Sequence, residues 1–332
     1  MRPALPEANK ADMNQVLITD DVHPLLIEGL EADGWHCVYQ PDITLDRVRE
    51  VIGNYQGLII NSKILVDRQL LDSASTLRFV GRVGSGMEIV DRIYAREKGV
   101  AVLSSPEGNC NAVAEQALGM LLALANNLLR SDREVRQKNW QREKNRGFEI
   151  MGRTVGIIGF GHTGSAFAAK LAGMGVRVLA YDKYKPAGYA ADFPHVTETD
   201  FAAVHSDADI ISFHLPLTAE TRHLAGESFL QNCRDGVIII NTSRGQVVHT
   251  EALVKALESG KVLGACLDVF ENEKTGTFTP AEHALYDRLY ALEQVVLSPH
   301  IAGWTHESKY KLAAILLERI RKALKVPDTL SC

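Results

Sequence analysis

The glycine-rich segment Gly159-Phe-Gly161-His-Thr-Gly164 constrains the fold of this chain more than any other feature. It directly follows an apolar run at 154–158 and precedes a helix-like stretch at 165–174. A second apolar run, 176–181, then ends at Asp182. Strand, glycine turn, helix and second strand in this order predict a β-α-β unit that binds a dinucleotide. The alternative is a glycine-rich turn that binds no ligand. The motif alone would leave this alternative open, but the strands and helix around it favour a dinucleotide site.

Each glycine of this fingerprint has its own physical role. Gly159 permits a tight turn out of the strand, Gly161 lets the backbone approach a pyrophosphate, and Gly164 lets the helix pack closely on the sheet. The helix N-terminus then offers N–H groups to the phosphates. Asp182 is placed to accept hydrogen bonds from ribose hydroxyls and would repel a 2′-phosphate, which predicts NAD rather than NADP. Two lysines that follow Asp182 weaken this preference without reversing it.

The composition is that of a globular protein. The length of 332 residues favours two domains, and an apolar fraction of 46% is enough for sizeable cores. A formal net charge of −5 gives no basic footprint for nucleic acid and no patch for a membrane surface. No apolar stretch reaches the length of a membrane span, and the N-terminus lacks the apolar core of a signal peptide. Residues 1–13 are expected to form a mobile polar tail.

The cysteines are scattered and odd in number. They are Cys37, Cys110, Cys233, Cys266 and Cys332. Because no C-x-x-C pair is present, free thiols in a reducing cytoplasm fit best, and no metal site is predicted.

Two strand–helix alternations organise the chain. In the first, apolar runs at 16–19, 37–39, 57–60, 79–80 and 100–103 alternate with helical patterns at 24–32, 45–52, 67–73 and 89–97. In the second, the predicted strands are 155–158, 176–181, 210–213, 237–240, 264–267 and 295–297. Such alternation predicts parallel sheets covered by helices on both faces. We therefore expect an α/β protein with two doubly wound parallel-sheet domains, a flavodoxin-like substrate domain and a Rossmann NAD-binding domain, with the ligand cleft between them.

The last predicted helix, 305–324, is expected to pack back on the first domain. That domain would then be discontinuous, with residues 14–111 plus 304–332 forming the substrate-binding domain and residues 112–303 the NAD-binding domain. A long apolar helix predicted at 112–129 should be buried between domains or subunits. The basic segment 130–146 contains Trp140 and is interpreted as an arm that packs on a second subunit, or alternatively as a solvated helix and loop.

Three polar segments directly follow predicted strands of the second alternation. Arg244 follows 237–240, an acidic run with Asp268, Glu271 and Glu273 follows 264–267, and His300 follows 295–297. Ligands of open α/β sheets bind at the carboxyl edge of the strands, so these side chains are predicted to converge beside the dinucleotide. Taken singly, each residue is more often a surface, capping or loop residue, and only the three strand ends together favour a site.

The three segments together suit hydride transfer at a 2-oxo or 2-hydroxy acid. Arg244 offers a planar, bidentate cation for the substrate carboxylate. His300 is the natural proton donor for the carbonyl oxygen near neutral pH, and a neighbouring carboxylate would favour the imidazolium and hold the ring. Asp268 is predicted to accept a hydrogen bond from the nicotinamide carboxamide. Position alone leaves open whether Glu271 or Glu273 faces the cleft.

At this point the chain resembles the D-isomer-specific 2-hydroxyacid dehydrogenases, in the branch of the phosphoglycerate dehydrogenases. The similarity extends over about residues 15–325. The segments that carry it are Gly84-Ser-Gly-Met-Glu, Asn111-Ala-Val-Ala-Glu-Gln-Ala-Leu-Gly119, Val155-Gly-Ile-Ile-Gly-Phe-Gly161, His214-Leu-Pro-Leu-Thr218, Asn241-Thr-Ser-Arg-Gly245, Leu267-Asp-Val-Phe270 and Pro299-His-Ile-Ala-Gly303.

The resemblance implies a catalytic set of Arg244, Glu273 and His300, and so selects Glu273 over Glu271. It implies that the backbone of Ser85 and Gly86 contributes to the substrate pocket. It also implies a cofactor lining from residues in the matched motifs: Gly159, Gly161, His162, Thr163, Gly164, Asp182, His214, Leu215, Pro216, Thr221, Thr242, Ser243, Asp268 and Gly303. Dimers built through residues 112–150 are usual in the family.

Three departures from the family pattern bear on these expectations. The variable pair of the fingerprint is His162-Thr163, where many members carry Arg-Ile, but Thr163 can still donate to the pyrophosphate. Lys274 replaces the proline that often follows the glutamate, so the local loop is expected to differ. Because the sequence ends at Cys332, we expect the chain to lack the regulatory domain that many phosphoglycerate dehydrogenases carry.

Competing functions remain open at this stage. The favoured substrate pair is 3-phosphoglycerate and 3-phosphohydroxypyruvate, with hydroxypyruvate or glyoxylate as the alternative. A phosphorylated substrate needs further cations, which Lys63 and Arg82 on strand-end loops could supply. Both residues fit equally well as partners of the substrate carboxylate or as solvated side chains. A second class of function is an NAD(H)-sensing, non-catalytic binding protein similar to the transcriptional corepressors of this family. Formate dehydrogenases of the wider superfamily use Gln where this chain has Glu273, which favours the hydroxy-acid reaction.

Overall fold

The computed structural model describes residues 14–325. The predicted tail at 1–13 and Cys332 lie outside the described residues. Contacts within the chain divide it into two units, with boundaries between Asn109 and Cys110 and between Trp304 and Thr305. The sequence prediction drew these boundaries after residues 111 and 303.

The first unit is built around a five-stranded sheet. Its elements are β1 (Gln15–Ile18), α1 (Pro24–Ala32), β2 (His36–Tyr39), α2 (Leu45–Val51), β3 (Gly57–Ile60), α3 (Arg68–Ser73), β4 (Phe79–Arg82), α4 (Arg92–Glu97) and β5 (Ala101–Ser104). All strands are parallel, in the order β2-β1-β3-β4-β5. This is the flavodoxin-like order. The central strands β1 and β3 are apolar and buried, as strands covered on both faces must be.

Helix α4 begins three residues later than the predicted 89–97. Val90 forms an isolated bridge with Val66, which keeps the chain extended at that point. Asp91 then caps the helix, because its side chain accepts a hydrogen bond from the Tyr94 N–H at 2.9 Å.

The second unit contains a seven-stranded sheet. Its elements are α5 (Cys110–Ala125), α6 (Leu128–Arg136), β6 (Thr154–Ile158), α7 (His162–Leu171), β7 (Arg177–Tyr181), β8 (Val196–Glu198), α8 (Phe201–Asp207), β9 (Ile210–Phe213), α9 (Glu227–Asn232), β10 (Val237–Asn241), α10 (Thr250–Glu258), β11 (Val262–Leu267), α11 (Pro280–Ala291) and β12 (Val295–Leu297). The strand order is β12-β11-β10-β9-β6-β7-β8, again parallel throughout. The order reverses beside β6, which is the Rossmann arrangement. The predicted fold class, two doubly wound parallel-sheet domains, is confirmed.

The prediction of one helix over 112–129 was wrong. The helix ends at Ala125, and a second helix starts at Leu128 with a bend of 62°. Asn127 between them has φ +50°, a left-handed conformation that asparagine tolerates better than most residues. The Asn127 side chain also donates to the Arg146 carbonyl at 3.3 Å, so the segment after α6 folds back on the bend.

Helix α5 packs its small residues against the nucleotide-binding part of the second unit. Ala114, Ala117 and Leu121 are buried in one cluster with Val155 of β6 and Phe167 of α7. The alanines let the two helices approach closely, so α5 supports the strand and helix on either side of the fingerprint.

The last helix, α12 (His306–Lys325), belongs to the first unit. Leu312, Leu316 and Ile320 are buried together with Val16 of β1 and Leu26 of α1. The chain therefore returns to cover one face of the first sheet after it has completed the second unit.

Among the residues that the structure describes, no single helix has the length and apolar character to cross a membrane. The bent pair α5 and α6 passes that test only when its two helices are taken together.

Candidate active site

The fingerprint turn has the geometry that its glycines predict. Gly159 has φ +93°, and a Cβ there would lie 2.3 Å from the His214 carbonyl oxygen. A Cβ on Gly164 would lie 2.0 Å from the Gly159 carbonyl oxygen. A Cβ on Gly161 would meet no atom within 4 Å. Two glycines are thus required by the protein itself, whereas the third borders open space at the start of α7.

Helix α7 begins at this open space without a side-chain cap. Gly161 occupies the N-cap position and makes no side-chain hydrogen bond to the first turn. Of the residues predicted to meet the pyrophosphate, His162 is exposed, and Thr163 is half-buried on the first turn. Backbone N–H groups at such a terminus favour an anion.

Asp182 stands at the end of β7, directly beside the fingerprint. One carboxylate oxygen accepts the Phe160 N–H at 2.9 Å and the other accepts the Tyr184 N–H at 3.0 Å. These bonds fix the carboxylate, and a carboxylate oxygen has a second lone pair that can accept from a ribose hydroxyl.

His214 and Thr242 carry buried polar atoms with no hydrogen-bond partner. They are His214 Nδ1 and Thr242 Oγ1, at the ends of β9 and β10. The His214 Nε2 lies 2.9 Å from Ser212 Oγ, and burial lowers the pKa of the ring to about 3, so it stays neutral at working pH. Such orphaned atoms at the carboxyl edge of the sheet are what a bound dinucleotide would satisfy.

The remaining residues of the predicted cofactor lining lie on loops at the same edge. Leu215 and Pro216 follow β9, Ser243 follows β10 and is buried, and Gly303 follows the His300 loop. Thr221 is engaged locally, since its hydroxyl donates to the Pro216 carbonyl at 2.7 Å. The open fingerprint, the fixed Asp182 and the orphaned atoms fit NAD.

The loop after β10 is shaped by Asn241, whose side chain is fully buried. Its amide nitrogen donates to the Arg244 carbonyl at 2.9 Å, and its oxygen accepts the Ser243 N–H at 3.1 Å and hydroxyl at 2.8 Å. Arg244 in turn donates to the Ser243 carbonyl at 2.6 Å. A Cβ on Gly245 would lie 1.8 Å from the Phe270 carbonyl oxygen, so this loop packs directly on the loop after β11.

Glu273 and His300 meet at the carboxyl edge. His300 Nδ1 lies 2.9 Å from a Glu273 carboxylate oxygen, and the other oxygen accepts the Phe270 N–H at 3.3 Å. Burial would raise the pKa of Glu273, but the hydrogen bond and charge of His300, with a smaller effect of the Arg244 charge, lower it overall. Glu273 is therefore a carboxylate at neutral pH, and Nε2 is the ring nitrogen of His300 that remains for a substrate.

Asp268 anchors the loop that carries His300. Its carboxylate is fully buried and accepts Ser298 Oγ at 2.5 Å, the Ile301 N–H at 2.9 Å and the Ala302 N–H at 2.8 Å. The Asp268 carbonyl also accepts the His300 N–H at 2.7 Å. These bonds hold His300 at φ +56°, a conformation that costs a non-glycine residue free energy and that is common at functional sites. The predicted contact of Asp268 with nicotinamide stays a prediction.

Glu271 faces a different histidine from Glu273. Its carboxylate lies 2.5 Å from His223 Nε2 and accepts the Thr250 N–H at the start of α10 at 2.6 Å. Although only one residue separates them, the two glutamates contact different histidines. In the structure it is therefore Glu273, not Glu271, that contacts His300.

The predicted substrate residues lie in the first unit. Lys63 follows β3, and Ser85 and Gly86 follow β4, at the carboxyl edge of two strands paired through Ile60 and Arg82. Ser85 is exposed and Gly86 is buried, while Lys63 donates to the Pro41 carbonyl.

Sequence reasoning missed two supporting residues of the His300 loop. Ser298 bonds Asp268, and Gln116 of α5 donates to Ser298 Oγ at 3.3 Å. The sequence assigned neither residue this role, because both act through contacts between segments far apart in the chain. Within residues 14–325, no cluster of His, Cys, Asp and Glu can hold a metal ion, and none of the four cysteines in that range forms a disulfide.

Comparison with known proteins identifies the family to which this architecture belongs. Residues 118–302 match the NAD binding domain of the D-isomer specific 2-hydroxyacid dehydrogenases. The chain belongs to this family, whose members are NAD-dependent oxidoreductases.

Among similar proteins is a hydroxypyruvate reductase of Thermotoga maritima, 34% identical over 85% of this chain and 89% of that protein. A D-3-phosphoglycerate dehydrogenase of Archaeoglobus fulgidus is 31% identical over 92% of this chain, but the match spans only 56% of the relative's length. A D-lactate dehydrogenase of Aquifex aeolicus, solved with NAD and lactic acid, superposes with a TM-score of 0.81 at 27% identity, covering 94% of this chain and 96% of that one.

Proposed function

We propose that this protein interconverts a 2-oxo acid and the corresponding D-2-hydroxy acid through Arg244, Glu273 and His300, with 3-phosphohydroxypyruvate and 3-phosphoglycerate as the favoured pair. The observation that carries the proposal is the 2.9 Å contact of Glu273 with His300 on a loop fixed by Asp268. It supplies a held imidazole beside a cofactor site, which reduction of a carbonyl requires.

The proposed roles follow from the chemistry of each group. When bound, NADH supplies the hydride that reduces the substrate carbon. Arg244 binds the substrate carboxylate through its planar guanidinium. His300 donates a proton from Nε2 to the carbonyl oxygen, and Glu273 stabilises the imidazolium and keeps the ring oriented.

The choice of a phosphorylated acid rests on charge in the first unit. Lys63 lies on the loop after β3 and Arg82 at the end of the neighbouring strand β4, at the edge of the sheet where Ser85 and Gly86 are proposed to meet the substrate. Two cations at adjacent strand ends suit a phosphate in addition to a carboxylate. The D-3-phosphoglycerate dehydrogenase relatives favour the same choice, which would make this an enzyme of serine biosynthesis.

A second candidate is hydroxypyruvate or glyoxylate reduction. The favouring observation is sequence similarity, since a hydroxypyruvate reductase of Thermotoga maritima is 34% identical over 85% of this chain. The test compares kcat/KM for 3-phosphohydroxypyruvate, hydroxypyruvate, glyoxylate and 2-oxoglutarate with NADH. A preference of about 100-fold or more for the phosphorylated acid supports the proposal. An equal or better rate with hydroxypyruvate transfers the proposal to the second candidate.

We further propose that the protein is a homodimer through residues 112–150. Large apolar side chains are exposed along α6 and the segment that follows, including Leu128, Leu129, Val135 and, at 74% exposure, Trp140. Such exposure in a stretch otherwise rich in charge suits a partner surface. The cytoplasmic location inferred from the free cysteines stays a prediction.

A further inference from the structure

The loops after β7 and β9 are joined by side chains across the fingerprint. Strand β6 lies between β7 and β9, so these two loops flank the glycine turn on either side. Glu220, on the loop after β9, reaches the loop after β7, where its Oε2 lies 2.7 Å from Lys183 Nζ and 2.7 Å from the Tyr184 hydroxyl. Lys183 and Tyr184 directly follow Asp182.

The turn that presents Glu220 is held by its own hydrogen bonds. The Thr218 N–H donates to Thr221 Oγ1 at 2.8 Å, Thr221 Oγ1 donates to the Pro216 carbonyl at 2.7 Å, and the Arg222 N–H donates to the Thr218 carbonyl at 3.0 Å. The backbone of Glu220 lies inside this closed turn, so its position does not depend on the contacts of the Glu220 side chain.

Lys183 and Glu220 are both charged at neutral pH. The hydrogen bond between them raises the pKa of the Lys183 ammonium and, together with the Tyr184 hydroxyl, lowers the pKa of the Glu220 carboxyl. The lysine that follows Asp182 is thus paired with a carboxylate.

This pairing bears on the choice between NAD and NADP. A cation near the end of the second strand of a Rossmann unit is what accommodates a 2′-phosphate, whereas a carboxylate there selects the ribose hydroxyls. Lys183 is a cation at this position, and by itself it would favour NADP. Asp182 opposes it with one negative charge.

We propose that Glu220 is a second determinant of cofactor choice, which neutralises Lys183 so that the 2′-phosphate of NADP finds no cation beside Asp182 and is rejected. A phosphate of nearly two negative charges would find the Lys183 ammonium already paired, and the Asp182 carboxylate would repel it. The pair is solvent-exposed, with side chains 53% and 56% accessible, so its effect is moderate rather than absolute. The proposal rests on NAD binding and is independent of the acid substrate.

The test measures dissociation constants of NADH and NADPH by isothermal titration calorimetry, without substrate, for the unaltered chain and Glu220→Gln. We expect NADPH to bind the unaltered protein at least about 100-fold more weakly than NADH. In Glu220→Gln we expect this ratio to fall about tenfold, through tighter binding of NADPH, with the NADH constant changed less than about threefold.

Two further variants make the result specific. Glu220→Gln combined with Lys183→Met should restore the original ratio, because the freed lysine is what binds the phosphate. Glu251→Gln is the matched control, since Glu251 is an exposed carboxylate paired with Lys255 at 2.9 Å on α10 and its loss changes the net charge equally.

The proposal is overturned by an unchanged ratio in Glu220→Gln, or by the same change in Glu251→Gln. Persistence of the tighter NADPH binding in the double variant would overturn the role of Lys183. If the unaltered protein binds NADPH as tightly as NADH, the roles of both Asp182 and Glu220 in selecting NAD are wrong.

Discussion

Single residues determine where protons and charges are held in this site. Glu273 contacts His300, Glu271 contacts His223, and Asp268 binds the backbone of the His300 loop. Each acidic side chain of one short segment therefore has a different partner, and only Glu273 belongs to the proposed proton-donating pair. Sequence position alone left Glu271 and Glu273 equivalent, because only the path of the loop decides which carboxylate faces His300.

Replacement of His300 by glutamine should separate catalysis from cofactor binding. We expect kcat to fall about 100- to 10,000-fold, since glutamine keeps polarity but cannot donate a proton as an acid. The dissociation constant of NADH should change little. Turnover near that of the unaltered protein would remove His300 as the proton donor.

The lowered pKa of Glu273 predicts a definite pH dependence of stability. Because its folded pKa is below the ordinary value of 4.5, the carboxylate adds stability above pH 4.5, and this stability is lost as the pH falls through the lowered folded pKa. Glu273→Gln should therefore melt about 1–2 °C below the unaltered protein at pH 6, with the difference vanishing well below pH 4.5. A difference that grows as the pH falls would contradict the assigned shift.

At the scale of secondary-structure elements, the turn from β6 to α7 contains one glycine that we assign to cofactor binding and another that the fold requires. Gly161→Ala adds a methyl group where no protein atom lies within 4 Å, at a φ of −77° that alanine adopts freely. The protein should fold normally but bind NADH at least about tenfold more weakly, because the methyl occupies the space for the pyrophosphate.

Gly164→Ala is the matched variant for this prediction. Its methyl would lie 2.0 Å from the Gly159 carbonyl, so we expect lower thermal stability, by several degrees, as well as weaker binding. Circular dichroism melting and NADH titration distinguish the two. Equal loss of stability in both variants would show that Gly161 serves the fold rather than the cofactor.

Most elements follow from apolar runs and glycine turns, but β8 and the break in the apolar helix after Ala125 do not. β8 is a three-residue edge strand with little buried surface, which leaves no periodic signal. The break after Ala125 depends on Asn127 and its contact with residue 146, a long-range interaction in an otherwise continuous apolar pattern. Helix α11 was readable, since Thr279 and Glu282 form a capping box at its start.

For the molecule as a whole, the cofactor site and the catalytic loop differ in how much of each could be predicted from the sequence. The cofactor site was predictable because the fingerprint and its aspartate are local in sequence. The supports of the catalytic loop, Gln116, Ser298 and the Asp268 network, join segments up to 182 residues apart and could not be read from spacing.

Dimer formation is the prediction that belongs to this scale. Light scattering after size exclusion should give twice the chain mass, and Trp140→Arg should shift the equilibrium to monomers, because loss of a buried aromatic anchor costs about 2 kcal/mol or more. Tyr184→Arg is the control, an equally exposed aromatic outside residues 112–150. A monomeric unaltered protein, or no difference between the variants, would refute the proposed interface.

The most direct test of the central claim is NADH oxidation with the preferred 2-oxo acid by the unaltered protein, Arg244→Lys and Arg244→Ala, alongside NADH binding. The account predicts that kcat/KM falls at least about 100-fold in Arg244→Ala and less in Arg244→Lys, since the bidentate carboxylate contact is lost, while NADH affinity is retained. Unchanged kcat/KM in Arg244→Ala, or NADH binding without oxidation by any 2-oxo acid in the unaltered protein, would contradict it.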